Sequence, residues 1–150
     1  MGRQMARHPT RSKSRHATAA SPAESADWAG RRNAVGLREV LSIARKWELS
    51  LEQLCTLLRT PARTLQRWRR TGEETGRLDL PADTIERISY LLGISKALTI
   101  LLPTPANRLL WLRNANAAAP FNGQAPLDRL LQGQVADLFV VRRHLDGARG

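Results

Sequence analysis

Cysteine is nearly missing from these 150 residues. With Cys55 as its one thiol, the chain has no disulfide framework and too few thiolates for a zinc ribbon, which points to a reducing compartment. Histidine occurs only at positions 8, 16 and 144, so neither a metal-ligand spacing nor a His-paired nucleophile arises. No glycine-rich phosphate loop is present. Aromatic residues make up 5% of the chain, and the longest apolar stretches, such as Leu98 to Pro103, are far too short to span a bilayer. Cys55 falls on the apolar side of a short helix and reads as a structural thiol, and the adjacent Glu73 and Glu74 read as solvated loop carboxylates. These shortages exclude a secreted disulfide scaffold and a membrane span. They also argue against an enzyme, a metal site or a bound cofactor.

What the chain has in excess is positive charge: 24 Lys and Arg against 13 Asp and Glu, a formal net of +11. Residues 1–36 hold seven basic and two acidic side chains, residues 37–72 eight and three, and residues 73–150 nine and eight. A polyanionic partner is therefore expected to meet the first half, while the nearly neutral second half acts through shape and apolar contact. Residues 1–36 mix Arg, Ser, Thr, Ala and Pro without apolar periodicity and are expected to be a disordered basic leader. Its acid-free start, with Arg3, Arg7, Arg11, Lys13 and Arg15, suits phosphate, although a solvated leader without function or a transit-type segment has the same composition.

From Leu37 the pattern turns helical, with Leu37, Val40, Leu41, Ala44 and Trp47 forming one stripe. Ser50 followed by Gln53 is a capping box for a short second helix, whose expected buried stripe is Leu51, Leu54, Cys55 and Leu58. Thr60 is the expected N-cap of a third helix with Pro61 at its first position, and Gly72 its expected stop. Two residues between the second and third helices force a steep crossing, as in a helix-turn-helix. Further helices are expected over Pro81–Leu102, with Gly93 kinking or dividing it, then Pro105–Asn114, Pro126–Leu131 and Val135–Leu145. No strand-period segment and no repeat occurs. The fold class is all-α, divided as 37–102 for the helix-turn-helix and dimerisation region and 103–150 for a small helical domain.

The third helix carries the most specific chemistry. With Leu65 at zero, Trp68 and Ala62 fall near its buried side, while Arg63, Gln66, Arg67 and Arg70 fall at roughly 160°, 100°, 200° and 140°. Arginine forks onto guanine O6 and N7, and glutamine pairs with adenine, so this face has the chemistry to read major-groove base edges. Arg69 and Thr64 flank it and suit phosphate contacts. An ordinary solvated basic face has the same composition. The capped helix before it and the short turn favour DNA, read by a homodimer at two half-sites.

The run from Asn107 to Gly133, NRLLWLRNANAAAPFNGQAPLDRLLQG, resembles the toxin-binding domain of the Xre/MbcA/ParS-type antitoxins. The residues that match are Trp111, Leu112, Asn116, Phe121, Gly123, Pro126, Leu127, Asp128, Leu130, Leu131 and Gly133. LEQLCTLLRTPARTLQRW extends the resemblance back to the family's Xre/Cro-like helix-turn-helix, so it covers about residues 37–147. Alanines replace the prolines usual after the tryptophan, implying a more mobile loop, and Arg59 stands where relatives often carry Gly, implying an altered turn.

What the resemblance implies is a bacterial cytoplasmic antitoxin. Its partners would be an RES-domain toxin acting on NAD and the operator DNA of its own operon, in a homodimer or a larger complex with the toxin. The implied toxin contacts are Trp111, Asn116, Phe121, Gly123, Pro126, Leu127, Asp128 and Leu131, with Arg142, Arg143 and His144 near the toxin's NAD cleft. From the residues alone, Trp111 reads as a core residue ahead of an interface one, and Phe121 as either. The apolar side of the last helix likewise suits a dimer or another protein. A stand-alone helix-turn-helix regulator, whose second half dimerises or senses a ligand, is the competing reading.

Overall fold

The structure is a computed structural model that describes residues 18–150 together with Gly2 and Gln4. The part of the expected leader that carries Arg3, Arg7, Arg11, Lys13 and Arg15 lies outside the described residues. Every regular element among the described residues is a helix, in the order α1 (Pro22–Lys46), α2 (Leu51–Leu58), α3 (Ala62–Thr75), α4 (Ala82–Leu101), α5 (Pro105–Arg113), α6 (Pro126–Leu130) and α7 (Val135–Ala148).

The first helix begins fifteen residues before Leu37, where the apolar stripe starts, so residues 22–36 are ordered and the expected leader is corrected there. Two local causes account for this. Ser21 and Glu24 form a reciprocal capping box and Pro22 sits in the first turn, which matches the orphan amides of a helix start. The segment is then tied down at long range: Leu78 N–H donates to Gly30 O at 2.9 Å, Asn33 Nδ2 donates to Leu78 O at 3.1 Å, and Arg77 pairs with Asp27. Those partners lie beyond the third helix and leave no trace in local hydrophobic pattern.

Ser50 caps α2 with Gln53 as expected. The buried stripe of α2 is Leu54, Leu57 and Leu58 rather than Leu51, which is exposed, or Cys55, which is half-buried. The turn residue Arg59 takes the left-handed conformation, φ 50° and ψ 51°, a region that disfavours side chains other than Gly and Asn. Because the chain closes α2 in this way, with Thr60 N–H bonded to Cys55 O, α3 starts one residue late. Pro61 is its N-cap, Thr60 is buried, and no side chain caps it. Gly72 does not end α3. It lies inside the helix because Leu78 packs on it, 3.3 Å from where a Cβ would stand, and the left-handed stop is Gly76, φ 69°.

The hub is α4, which packs on α1, α2 and, most extensively, α7. It runs unbroken through Gly93, so the expected kink is absent; the missing Cβ there makes room for the Arg142 guanidinium of α7. One hydrophobic core joins Leu37, Val40 and Trp47 of α1 with Leu57 and Leu58 of α2, Leu65 of α3, Leu91 and Ile94 of α4, and Leu138 and Val141 of α7. Burying a side chain of this size contributes about 1.5–3 kcal/mol.

Two arginines fasten the halves by bonding backbone carbonyls, two of them of core residues. Arg113, ending α5, donates to Trp47 O and Glu48 O at 2.8 Å, closing the end of α1. Arg87 of α4 is 1% exposed and donates to Leu57 O at 3.1 Å, Gly133 O at 2.9 Å and Asp83 Oδ2 at 2.9 Å. A cation in that position is tolerated because every bond it makes is charge-assisted.

Candidate functional surfaces

Helix α3 presents outward the side chains its periodicity assigned. Leu65 and Trp68 are buried, Arg63, Gln66, Arg67 and Arg70 are exposed, and Thr64 is half-buried at the flank. Arg69 is exposed and stands 3.8 Å from Glu73 on its own helix. A further cation, Arg59, is turned outward at the left-handed residue between α2 and α3.

Most of the unpaired cations among the described residues lie on α1 to α3. Arg32, Arg38, Arg45 and Lys46 of α1, together with Arg59, Arg63, Arg67 and Arg70, have no carboxylate within ion-pair distance. In the second half Arg87, Arg129, Arg142 and Arg149 are paired, Arg108 and Arg113 are spent on backbone carbonyls, and Lys96 and Arg143 are exposed without a carboxylate partner. Unpaired cations on α1 to α3 repel one another, and a phosphate backbone relieves that repulsion by displacing their counterions.

The second half is built around an aromatic group. Trp111 and Phe121 meet edge to face, with centroids 5.6 Å apart. His144 stacks on Trp111 at 6.4 Å and meets Phe121 edge-on at 5.1 Å. Phe121 is 2% exposed, and Pro126 and Leu127 are buried, so these three shape the surface from beneath. Asn116 and Gly123 close the loop: Gly123 N–H donates to Asn116 O at 2.7 Å, and Asn116 Oδ1 accepts from Ala118 N–H at 3.0 Å. Gly123 has φ 93°, which glycine adopts at no steric cost.

Facing outward are Asp128 and Arg143, with Trp111, Leu131 and His144 half-buried. Arg142 is turned back onto α4, donating to Ser89 O at 3.3 Å and lying 3.6 Å from Asp146. Beside His144 an open hollow of about 620 Å³ is lined by Ala119, Pro120, Phe139, Val140 and Arg143. Phe139, 45% exposed, and Leu110, 55% exposed, were not among the candidate site residues. A mismatch between an apolar side chain and the polar edge of its helix was the available signal. Burial pushes the Cys55 thiol above its ordinary range, which favours the protonated form.

Two family models match the chain in succession, meeting inside α4. Residues 29–93 match the antitoxin Xre-like helix-turn-helix domain, and residues 97–150 match the antitoxin Xre/MbcA/ParS C-terminal toxin-binding domain. The chain belongs to the Xre/MbcA/ParS-type antitoxin family. A relative in Sinorhizobium fredii (strain NBRC 101917 / NGR234), the uncharacterized protein y4oB, is 40% identical over 115 residues, which cover 76% of this chain and 84% of that protein. The antitoxin is thus of type II, with a toxin and DNA as the partners its two domains imply, and its domains are those of a non-catalytic protein. Among the described residues, no helix is long and apolar enough to cross a membrane.

Proposed function

We propose that this antitoxin neutralises an RES-domain, NAD-consuming toxin through α5 to α7 and represses its own operon through α3, acting in the bacterial cytoplasm. The observation that carries the two-part reading is the separation of surfaces: unpaired cations on α1 to α3, and an exposed aromatic and apolar surface on α5 to α7. Arg63, Gln66, Arg67 and Arg70 read base edges, while Thr64 and Arg69 meet phosphates. Trp111, Asp128, Leu131, Arg143 and His144 meet the toxin directly. Asn116, Phe121, Gly123, Pro126 and Leu127 hold that surface in shape, and Arg142 holds α7 on α4.

The identity of the toxin rests on the resemblance to antitoxins of RES-domain toxins. Co-expression with the product of the neighbouring gene tests it. The expected result is a stable complex whose partner consumes NAD only when freed from the antitoxin. A partner that consumes NAD equally in both states would refute the neutralisation reading, and the absence of any complex would favour a stand-alone regulator. Arg143→Ala, an exposed position that leaves the core residues of α7 in place, is expected to weaken inhibition.

A further inference from the structure

The α1 helix is much longer than its contacts with the core demand, since its buried residues begin at Gly36. The preceding turns are nevertheless held firmly, and the holding points are at the end of the reading helix. Gly30 and Asn33 bond Leu78, and Asp27 takes Arg77 from the turn after α3 while also holding Arg31 at 2.9 Å. The outward side of this tethered helix is basic. Arg31, Arg32, Arg38, Arg45 and Lys46 are all exposed, and the last four have no carboxylate partner. Glu24 is engaged in the cap and Asp27 in ion pairs, which leaves Glu39 as the free carboxylate of the helix.

Two exposed apolar side chains share this side, Trp28 at 62% and Val35 at 47%, with the Arg32 guanidinium 5.0 Å from the Trp28 ring centroid. The basic side is continuous with α3, because Arg38 and Arg69 line one hollow of about 390 Å³ between the two helices. We propose that the outer face of α1, centred on Arg31, Arg32, Arg38 and Arg45, is a second phosphate-binding surface that grips the DNA backbone beside the groove read by α3. It rests on the assignment of α3 to DNA and adds a surface on another element.

Charge decides the occupant. A second copy of this chain, docked by two-fold symmetry, would bring the same unpaired arginines face to face, and like charges across an interface repel. A duplex offers a regular row of phosphates, and each one neutralised releases a counterion. An indole beside the arginines is no obstacle, since its N–H donates to phosphate oxygens as well as any side-chain amide.

The test is the salt dependence of binding by the full chain to the duplex upstream of its own gene and to a scrambled duplex of equal length. Arg38→Gln/Arg45→Gln removes two contacts without lowering helix propensity, so the slope of log K against log salt should become shallower by about 1.8 on both duplexes. Equivalently, the advantage of the unmodified chain over the variant should shrink about twelvefold between 50 and 200 mM salt. Arg31→Gln/Arg32→Gln should act in the same direction, and circular dichroism melts verify that each variant is folded.

An unchanged slope in both folded variants overturns the proposal. So does an unchanged slope accompanied by loss of self-association in sedimentation, which would assign the face to a second copy. Arg63→Ala/Arg67→Ala serves as the separating control: it should remove the preference for the upstream duplex. Should that preference survive while the α1 variants still flatten the slope, the reading by α3 fails and the phosphate surface stands.

Discussion

Arg87→Ala should be among the most damaging single substitutions in this antitoxin, although Arg87 touches neither proposed partner surface. Its side chain is 2% exposed and ends on two backbone carbonyls from different domains, Leu57 O at the close of α2 and Gly133 O in the turn after α6. Asp83, the third partner, is half-exposed and returns to water at little cost. The loss therefore comes from two carbonyls left without a donor, about 1–3 kcal/mol each, together with the packing of the side chain. A total of about 3–5 kcal/mol is expected, lowering the melting temperature by roughly 10–20 °C. Arg87→Met keeps most of the volume and orphans the same carbonyls, so it should retain most of that loss. Thermal and urea unfolding followed by circular dichroism measure both. Arg87→Ala within 1 kcal/mol of the parent, or Arg87→Met as stable as the parent, would show that the two carbonyls find water and that the buried cation does not join the domains.

Replacing Arg63 by Ala should cost about 1–3 kcal/mol of operator binding and relax preference at one base pair, with toxin neutralisation unchanged; a titration on operator and on toxin separates the two. Acid should loosen the start of α1. The hydrogen bond from Arg77 holds the Asp27 carboxyl below its ordinary 3.8, and the backbone and side chain of Ser21 hold Glu24 below its ordinary 4.5. Groups lowered in this way stabilise fully above those ordinary values and lose the contribution as pH falls through the folded ones, so the protection of the Leu78 amide, its exchange relative to the intrinsic rate at the same pH, should fall below pH 4 while remaining constant from 5 to 7. Gly93→Ala should displace Arg142, because the new Cβ would overlap its guanidinium, the flexible end of a long side chain. A loss of about 1 kcal/mol or less is expected, with the α4 to α7 packing kept; a loss above 3 kcal/mol would mean that Arg142 has nowhere else to go.

Much of the architecture is legible residue by residue. The capping box Ser50 to Gln53 and the stripe Leu37, Val40, Ala44 and Trp47 are local signals, and helices obey local rules, so they appear where those rules place them. The outward set on α3 is equally local, since one helix phase separates Leu65 and Trp68 from Arg63, Gln66, Arg67 and Arg70. Errors concentrate where two signals compete. Gly72 is the expected stop of α3, but packing of Leu78 on it keeps the helix running, and the chain turns at Gly76 instead. Ser21 to Glu24 is as good a capping box as the one on α2, but it precedes a stretch without an apolar stripe and so carries little weight alone.

The toxin-facing half shows the limit most clearly. A pattern of residue types picks out Trp111, Phe121, Pro126 and Leu127, yet it does not distinguish a side chain that touches a partner from one that supports the surface beneath it. That difference is a matter of depth, which depends on what α4 and α7 place above each residue.

By itself, then, the sequence determined the all-α class, the capped helices around the turn and the polarity of charge along the chain, because these follow from neighbours three or four residues apart and from composition. Only the tertiary structure decided that residues 22–36 are helical, that Arg87 is buried between two domains and that Gly93 receives Arg142. Each of those outcomes depends on a partner some forty or more residues distant, as the bonds from Leu78 to Gly30, from Arg87 to Gly133 and from Arg142 to Ser89 illustrate. Such pairings form when the whole chain closes around one core, and no short window of sequence contains both of their ends.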